Sequence, residues 1–328
     1  MCQFKSALVL KDRIFLPDYD SHDKMLQELG IEDNFTNASK VFVRVELSPA
    51  DGDIFSDVDG WELKVDQDIL PDWWNEAERL PQLKELVETW MQKHTIYAGE
   101  VADGVWLATG SATVTAYGRA TVTACGSATV KAYDSATVTA YDSATVTACG
   151  RATVTAYDSA TVKACGRATV KACGRATVTA YGSATVKAYG SATVKAYDRA
   201  TVTAYGSATV TAYESATVTA TGSATVTAYD SATVTACGRA TVTAYDSATV
   251  KADESATVTA YDSATVKAYD SATVTAYGSA TVTAYDSATV IIPKRFVTGG
   301  VIKLNDDSVC INHNTHTIKS EIQWKQEG

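Results

Sequence analysis

Three small constellations in this 328-residue chain have residue types that chemistry uses. Cys2 follows the initiator methionine, where an exposed N-terminal thiol can act as a nucleophile. The chain has only four histidines to serve as a base and shows no phosphate loop or oxyanion motif. Cys2 therefore reads as a small residue beginning a strand. "CINHNTH" sets Cys310, His313 and His316 at two three-residue intervals. A closed zinc site needs a fourth ligand, none is evident nearby, and the segment reads as histidines on a hairpin turn. Asp51, Asp53, Asp57 and Asp59 in "SPADGDIFSDVDG" are calcium-type ligands, but their spacing departs from the EF-hand loop and suits a solvated acidic loop. The expectation is no catalytic residue, no cofactor and no metal.

The larger chemical resource is a surface of hydroxyls. Residues 111–286 are 22 consecutive octapeptides without insertion or deletion, followed by a partial copy, Ser287–Val290. Position 1 is Ser or Arg, positions 2 to 4 are Ala-Thr-Val, and position 5 is Thr or Lys. Position 6 is Ala, position 7 mostly Tyr or Cys, and position 8 Gly, Asp or Glu. Positions 2, 4 and 6 form a small apolar set, whereas 3, 5 and 7 are polar or aromatic and admit lysine. Such alternation is a strand signature, with Ala-Val-Ala facing inward. Gly or Asp followed by Ser or Arg supplies the turn.

One strand cannot bury an Ala-Val-Ala face alone, so successive strands must stack as a solenoid. Three octads per coil would enclose a lumen that Ala and Val cannot fill. Two octads per coil place two parallel sheets across a thin dry layer. The expected fold is mainly β: a two-sheet parallel β-solenoid of 8-residue strands, 16 residues per coil and about 11 coils. Positions 2, 3, 4 and 6 are identical in all 22 copies. Inward packing accounts for the Ala and Val, since a larger or polar residue would separate the sheets or be buried unpaired. Position 3 faces outward, so its threonine needs another reason.

One reason is structural: stacked threonines shield the backbone and bond to one another, and tyrosines stack beside them. The other is recognition. Thr-x-Thr sets paired hydroxyls and methyls about 6.6 Å apart along a strand, repeated every ~4.8 Å. In period, and in its Tyr-Gly-Ser and Thr-x-Thr elements, "YGSATVTA" resembles the octad-based solenoids of bacterial ice-nucleation proteins. That resemblance is confined to the array and implies ordering of water on a flat, uncharged threonine face. With alternate octads sharing a sheet, one sheet carries Lys131, Lys163 and Lys195, and the other Lys171, Lys187, Lys251 and Lys267. The longest regular patch contains Thr209/Thr211, Thr225/Thr227, Thr241/Thr243, Thr257/Thr259 and Thr273/Thr275. Tyr213, Tyr229, Tyr245, Tyr261 and Tyr277 flank it.

The expected organisation is an acidic α+β domain at 1–102, the solenoid at 103–294 and a β-rich cap at 295–328. In the first, Ser6–Leu10, Arg13–Leu16, "KVFVRVEL" and "WELKVD" suit strands. Ser21 caps a helix ended by Gly30, and Asn75–His94 reads as a helix that Pro81 breaks or restarts. "MCQFKSALVLKDRIFLPDYDSHDKM" and "KVDQDILPDWW" look like the leader of uncharacterised repeat proteins of gut bacteria and their phages, a resemblance that implies no activity. Glutamine amidotransferases with an N-terminal cysteine begin Met-Cys-Gly, and Gln3 departs from that pattern. "DGVWLATG" (Asp103–Gly110) is in phase with the octads, with Trp106 in the inward valine's place. Pro293 ends the period, and turns are expected at Asn305–Ser308 and Asn312–Thr315.

Residues 1–110 hold 10 Lys/Arg against 22 Asp/Glu, whereas the array holds 13 against 12. A near-neutral array argues against a nucleic-acid groove. With no secretory or membrane segment, and five cysteines that merely replace tyrosine, a reducing, cytoplasmic setting is expected, with a virion part as a further possibility. The reading is a non-catalytic scaffold whose partner is an unspecified protein or repetitive surface, not a membrane, with self-association through solenoid ends or the N-terminal domain. Ice- or crystal-surface binding is the first alternative, and an N-terminal-cysteine hydrolase or amidotransferase the second.

Overall fold

Alternation becomes a strand in every octad of the computed structural model. The strand narrows to four residues, positions 3 to 6, as in Thr209–Ala212 and Thr225–Ala228. Strands 16 residues apart pair parallel and in register, Thr209 with Thr225, Val210 with Val226, Thr211 with Thr227 and Ala212 with Ala228. Two octads therefore make one coil. Position 2, 4 and 6 side chains are at most 3 % exposed throughout the array, while Lys131 is exposed and Tyr133 half-buried. The structure describes residues 4–293 and 300–311, with the backbone of Asn312 and of strands Thr315–Ile318 and Ile322–Gln323. Two units result, Met1–Ile96 and Tyr97–Gly328.

The solenoid has about 13 coils rather than about 11, roughly 60 Å of stacked strands at ~4.8 Å spacing. The additional turns come from both flanks. Val105 pairs with Thr121, and half-buried Trp106 with Val122, in the inward valine's register. After Pro293 the period resumes with four extra residues, Thr281 pairing with Val301 and Thr289 with Val309. In this degenerate coil Ile302 and Cys310 take the inward places, and buried Ser308 bonds the Ala284 carbonyl at 3.4 Å. Strands Thr315–Ile318 and Ile322–Gln323 then pair antiparallel with Val309–Asn312 and Val301–Leu304, so part of the last coil's edge is occupied. The expected turn at Asn305–Ser308 is present, closed by a 3.2 Å bond from Ser308 N–H to the Asn305 carbonyl. The turn expected at Asn312–Thr315 lies outside the described residues.

Between strands the chain turns through positions 7, 8, 1 and 2, where the position 2 N–H donates to the position 7 carbonyl, as from Ala232 to Tyr229 at 3.1 Å. Position 8 has positive φ, +55° at Asp230 and +71° at Gly222. Gly and Asp, which occupy most copies, adopt this backbone most readily, and Glu214 and Glu254 adopt it too. Asp adds a bond that Gly lacks: its carboxylate accepts the position 8 N–H of the preceding coil, at 3.1 Å from Glu214 to Asp230.

In the first unit β1 (Lys5–Leu10), β2 (Ile14–Phe15), β3 (Phe42–Pro49) and β4 (Trp61–Val65) form an antiparallel sheet in the order β2-β1-β3-β4. Helix α1 (His22–Glu28) is capped by Ser21, whose hydroxyl accepts from the Lys24 N–H. Met25 and Leu26 pack with Leu8 and Phe42. A short α2 (Phe35–Ala38) follows. Helix α3 (Glu76–Lys93) runs unbroken through Pro81, contrary to the expected break. Proline costs a single i−4 bond this close to the N-terminus, and buried Leu83, Val87 and Trp90 hold the remaining turns.

Val226→Thr, which keeps shape but buries an unpartnered hydroxyl, should lower stability by about 1–3 kcal/mol. Ala228→Leu should cost at least as much by forcing the sheets apart. Urea denaturation followed by circular dichroism reads both. At position 8, Asp230→Gly should be tolerated better than Asp230→Ala, because alanine at positive φ carries about 1–2 kcal/mol of backbone strain; equal midpoints for the two would refute that account of the turn.

Candidate functional site: the threonine and tyrosine ladders

Alternation sends positions 3, 5 and 7 outward, and the 16-residue coil stacks each position on its own kind. On one sheet Thr209, Thr225, Thr241, Thr257 and Thr273 are consecutive register partners, as are Thr211, Thr227, Thr243, Thr259 and Thr275. The first four of the position 3 residues are exposed, whereas Thr273 and the position 5 residues are half-buried. Among the described residues, no threonine at position 3 or 5 of the array makes a side-chain hydrogen bond to protein. Hydroxyl-to-hydroxyl bonding therefore does not hold the ladder together; backbone bonds do, such as that from Thr241 N–H to the Ala224 carbonyl at 2.9 Å. The hydroxyls face solvent.

Beside them runs a tyrosine stack. Tyr181, Tyr197, Tyr213, Tyr229, Tyr245, Tyr261 and Tyr277 follow one another with ring centroids 4.8–5.2 Å apart and planes within 10°. The offset-stacking range for aromatic pairs begins near these separations. On the other sheet the series is interrupted, and tyrosines stack only in pairs such as Tyr189–Tyr205 and Tyr269–Tyr285. Lysines are placed as expected, Lys131, Lys163 and Lys195 on the first sheet and the other four on the second. Three of them lie over the tyrosine of the next coil: Lys163 over Tyr181, Lys171 over Tyr189 and Lys251 over Tyr269, at 5.0–5.7 Å, a cation–π placement. Tyr261, Asp262, Tyr277 and Gly278 line a recess of about 360 Å³.

A row of carboxylates accompanies the stack and was not singled out from the sequence. Asp198, Glu214, Asp230, Asp246 and Asp262 occupy position 8 of five successive coils. The first four accept backbone N–H groups from the coil before, at 2.7–3.3 Å. Sorting position 8 by alternate octads would have found it. Burial and the neighbouring Tyr261, Tyr229 and Asp262 charges raise the Tyr245 phenol above its ordinary 10.0.

The other sequence candidates fall apart from this surface. Cys2 and His313 lie outside the described residues, as does the His316 side chain. Cys310 is fully buried in position 4 register, and burial pushes its thiol up to about 11. Burial and a hydrogen bond with Cys165 likewise raise Cys149. The acidic loop spends carboxylates on its own backbone: Asp51 accepts from Asp53, Asp53 from Phe55 and Asp57 from Asp59, at 2.9–3.0 Å. The first of these bonds holds Asp51 below its usual range. Among the described residues no helix is long and apolar enough to cross a membrane. No family model, curated protein or solved structure matches the chain.

A phenol whose folded pKa is raised binds its proton more tightly in the folded chain. Its stabilisation is complete below pH 10 and is lost as pH rises through the folded value. Urea midpoints should therefore decline above pH 10.0, and Tyr245→Phe should diminish that alkaline decline. A Tyr245→Phe protein with the parent's pH profile would contradict this.

Proposed function

We propose that the array is a non-catalytic scaffold, a rigid repetitive β-solenoid that displays threonine and tyrosine ladders to a protein or repetitive surface. The N-terminal unit supplies the specific partner contact. The observation that carries this reading is the division of labour within each octad: positions 2, 4 and 6 and the backbone hold the coil, while position 3 hydroxyls face water with no bond to protein. A surface pattern can then be extended or altered without touching what holds the fold. The raised thiols of Cys149, Cys237 and Cys310 disfavour these three as nucleophiles, since a nucleophilic cysteine requires the opposite shift.

A second reading, binding to ice or another crystal face, is favoured by the five lysine-free coils of Thr-x-Thr from Thr209 to Thr275. Their register and solvent-facing hydroxyls are consistent with the resemblance to ice-nucleation-type repeats. A bacterial or phage source would suit either reading. An N-terminal-cysteine enzyme would instead be indicated by selective labelling of Cys2 with an activity probe.

Two variants separate the first two readings. Deleting residues 207–222, one full coil, should leave the protein folded and shorten it by ~4.8 Å in small-angle scattering; failure to fold would count against a modular scaffold. Thr211→Lys combined with Thr243→Lys should leave circular dichroism unchanged. If the parent retards ice recrystallisation and the double variant does not, the second reading replaces the first.

A further inference from the structure

The first unit brings together three ligand-type side chains that are distant in sequence. His22 begins α1, Glu46 lies on β3 and Asp66 follows β4. The β3–β4 hairpin pairs Val45 with Val65 and Glu46 with Lys64, so Glu46 and Asp66 are held close, and α1 sets the imidazole beside them. One ligand atom from each of the three lies within 4.8 Å of the others. The imidazole is 10 % exposed.

Its protonation is constrained by its partners. His22 Nε2 lies 3.1 Å from the Val45 carbonyl oxygen, which can only accept, so the proton sits on Nε2. In the neutral ring Nδ1 then carries a lone pair, and it faces the Asp66 carboxylate at 3.5 Å. Two acceptors in that position repel unless a cation lies between them. A proton on Nδ1 is one such cation. A divalent metal is the other, and a ligating histidine typically donates its second N–H to a backbone carbonyl, as His22 does. Lys64 Nζ stands 3.4 Å from Glu46 and 4.0 Å from Asp66, the competing charge that a metal would displace. Ser21, His22, Asp23, Asp33, Arg44 and Asp66 line an open pocket of about 350 Å³, and three of these six are carboxylates.

We propose that His22 Nδ1, Glu46 and Asp66 bind a divalent first-row transition metal of the zinc class. Imidazole with two carboxylates suits such an ion, and three protein ligands are the number of an open site. The two carboxylates bring a charge of −2 beside a neutral imidazole, which balances a divalent ion.

Titration calorimetry of the untagged full chain with Zn²⁺, and separately with Mn²⁺, tests this. One equivalent of zinc should bind, more tightly than manganese. His22→Gln, Glu46→Gln and Asp66→Asn should each weaken zinc at least about tenfold. Lys64→Met should strengthen it, a gain that misfolding cannot produce. Asp51→Asn with Asp57→Asn, in the acidic loop, should leave it unchanged. The proposal is overturned if no heat is seen at about 0.1 mM zinc. It is equally overturned if the ligand variants, with melting curves like the parent's, bind as the parent does, or if Lys64→Met binds more weakly.

Discussion

The solenoid depends on one dimension, the thickness of the dry layer between its two sheets. Ala-Val-Ala from one octad meets Ala-Val-Ala from the next across that layer, and every one of these side chains is buried. Alanine and valine have few rotamers and no polar atoms, so the layer orders at little side-chain entropy. Each valine contributes about 1.5–3 kcal/mol when fully buried. Because the layer is thin and the packing repeats identically, no neighbouring gap can absorb a larger side chain. The same constraint explains why positions 2, 4 and 6 admit no substitution, whereas positions 1, 5, 7 and 8, which do vary, point away from the layer.

The remaining backbone groups are satisfied by stacking. Positions 3 and 7 donate to alanine carbonyls one coil below, and position 1 donates to a position 8 carbonyl. Position 8 is left with an outward N–H, and here the sequence has two solutions. Glycine leaves it to water. Aspartate and glutamate accept φ near +55° and cover the corresponding N–H of the preceding coil. The choice between them is thus electrostatic as well as steric. A run of five acids brings like charges to a spacing of ~4.8 Å, where mutual repulsion opposes the bonds they make. Water screens the repulsion at this exposed edge.

Much of this was legible because the period is short and the alternation strict. Parity alone placed each lysine and threonine on its sheet, since with 16 residues per coil every second octad is a neighbour. The length of the array was less legible. "VIKLNDDSVCIN" shares no phrase with "ATVTA", yet Lys303 stands at position 5 and Asp306 at position 8 with φ +55°. The signal was the turn acid Asp306, which follows Asp286 by one coil plus the four-residue insertion that hid it. The continuity of α3 was hidden for another reason. A proline's cost depends on how many bonds it breaks and on what the rest of the helix buries, and the buried face at Leu83, Val87 and Trp90 is a tertiary fact.

The two surfaces with chemical potential differ in the same way. The threonine face is a one-dimensional consequence of the repeat, so sequence arithmetic reaches it. What arithmetic could not supply is the state of the hydroxyls. A β-ladder fixes backbone partners at about 4.8 Å, too far for one threonine Oγ1 to reach the next unless both rotamers turn toward each other. Here they do not, and the stack rests on amides alone. The His22–Glu46–Asp66 cluster has no period and no motif. It exists because a hairpin register places Glu46 and Asp66 together and a capped helix delivers His22 to them. Local chemistry sets each of those elements, but only their packing makes a ligand set. A repeat protein therefore shows its outward surface in its sequence, whereas a cluster built from single residues becomes visible only once the chain is folded.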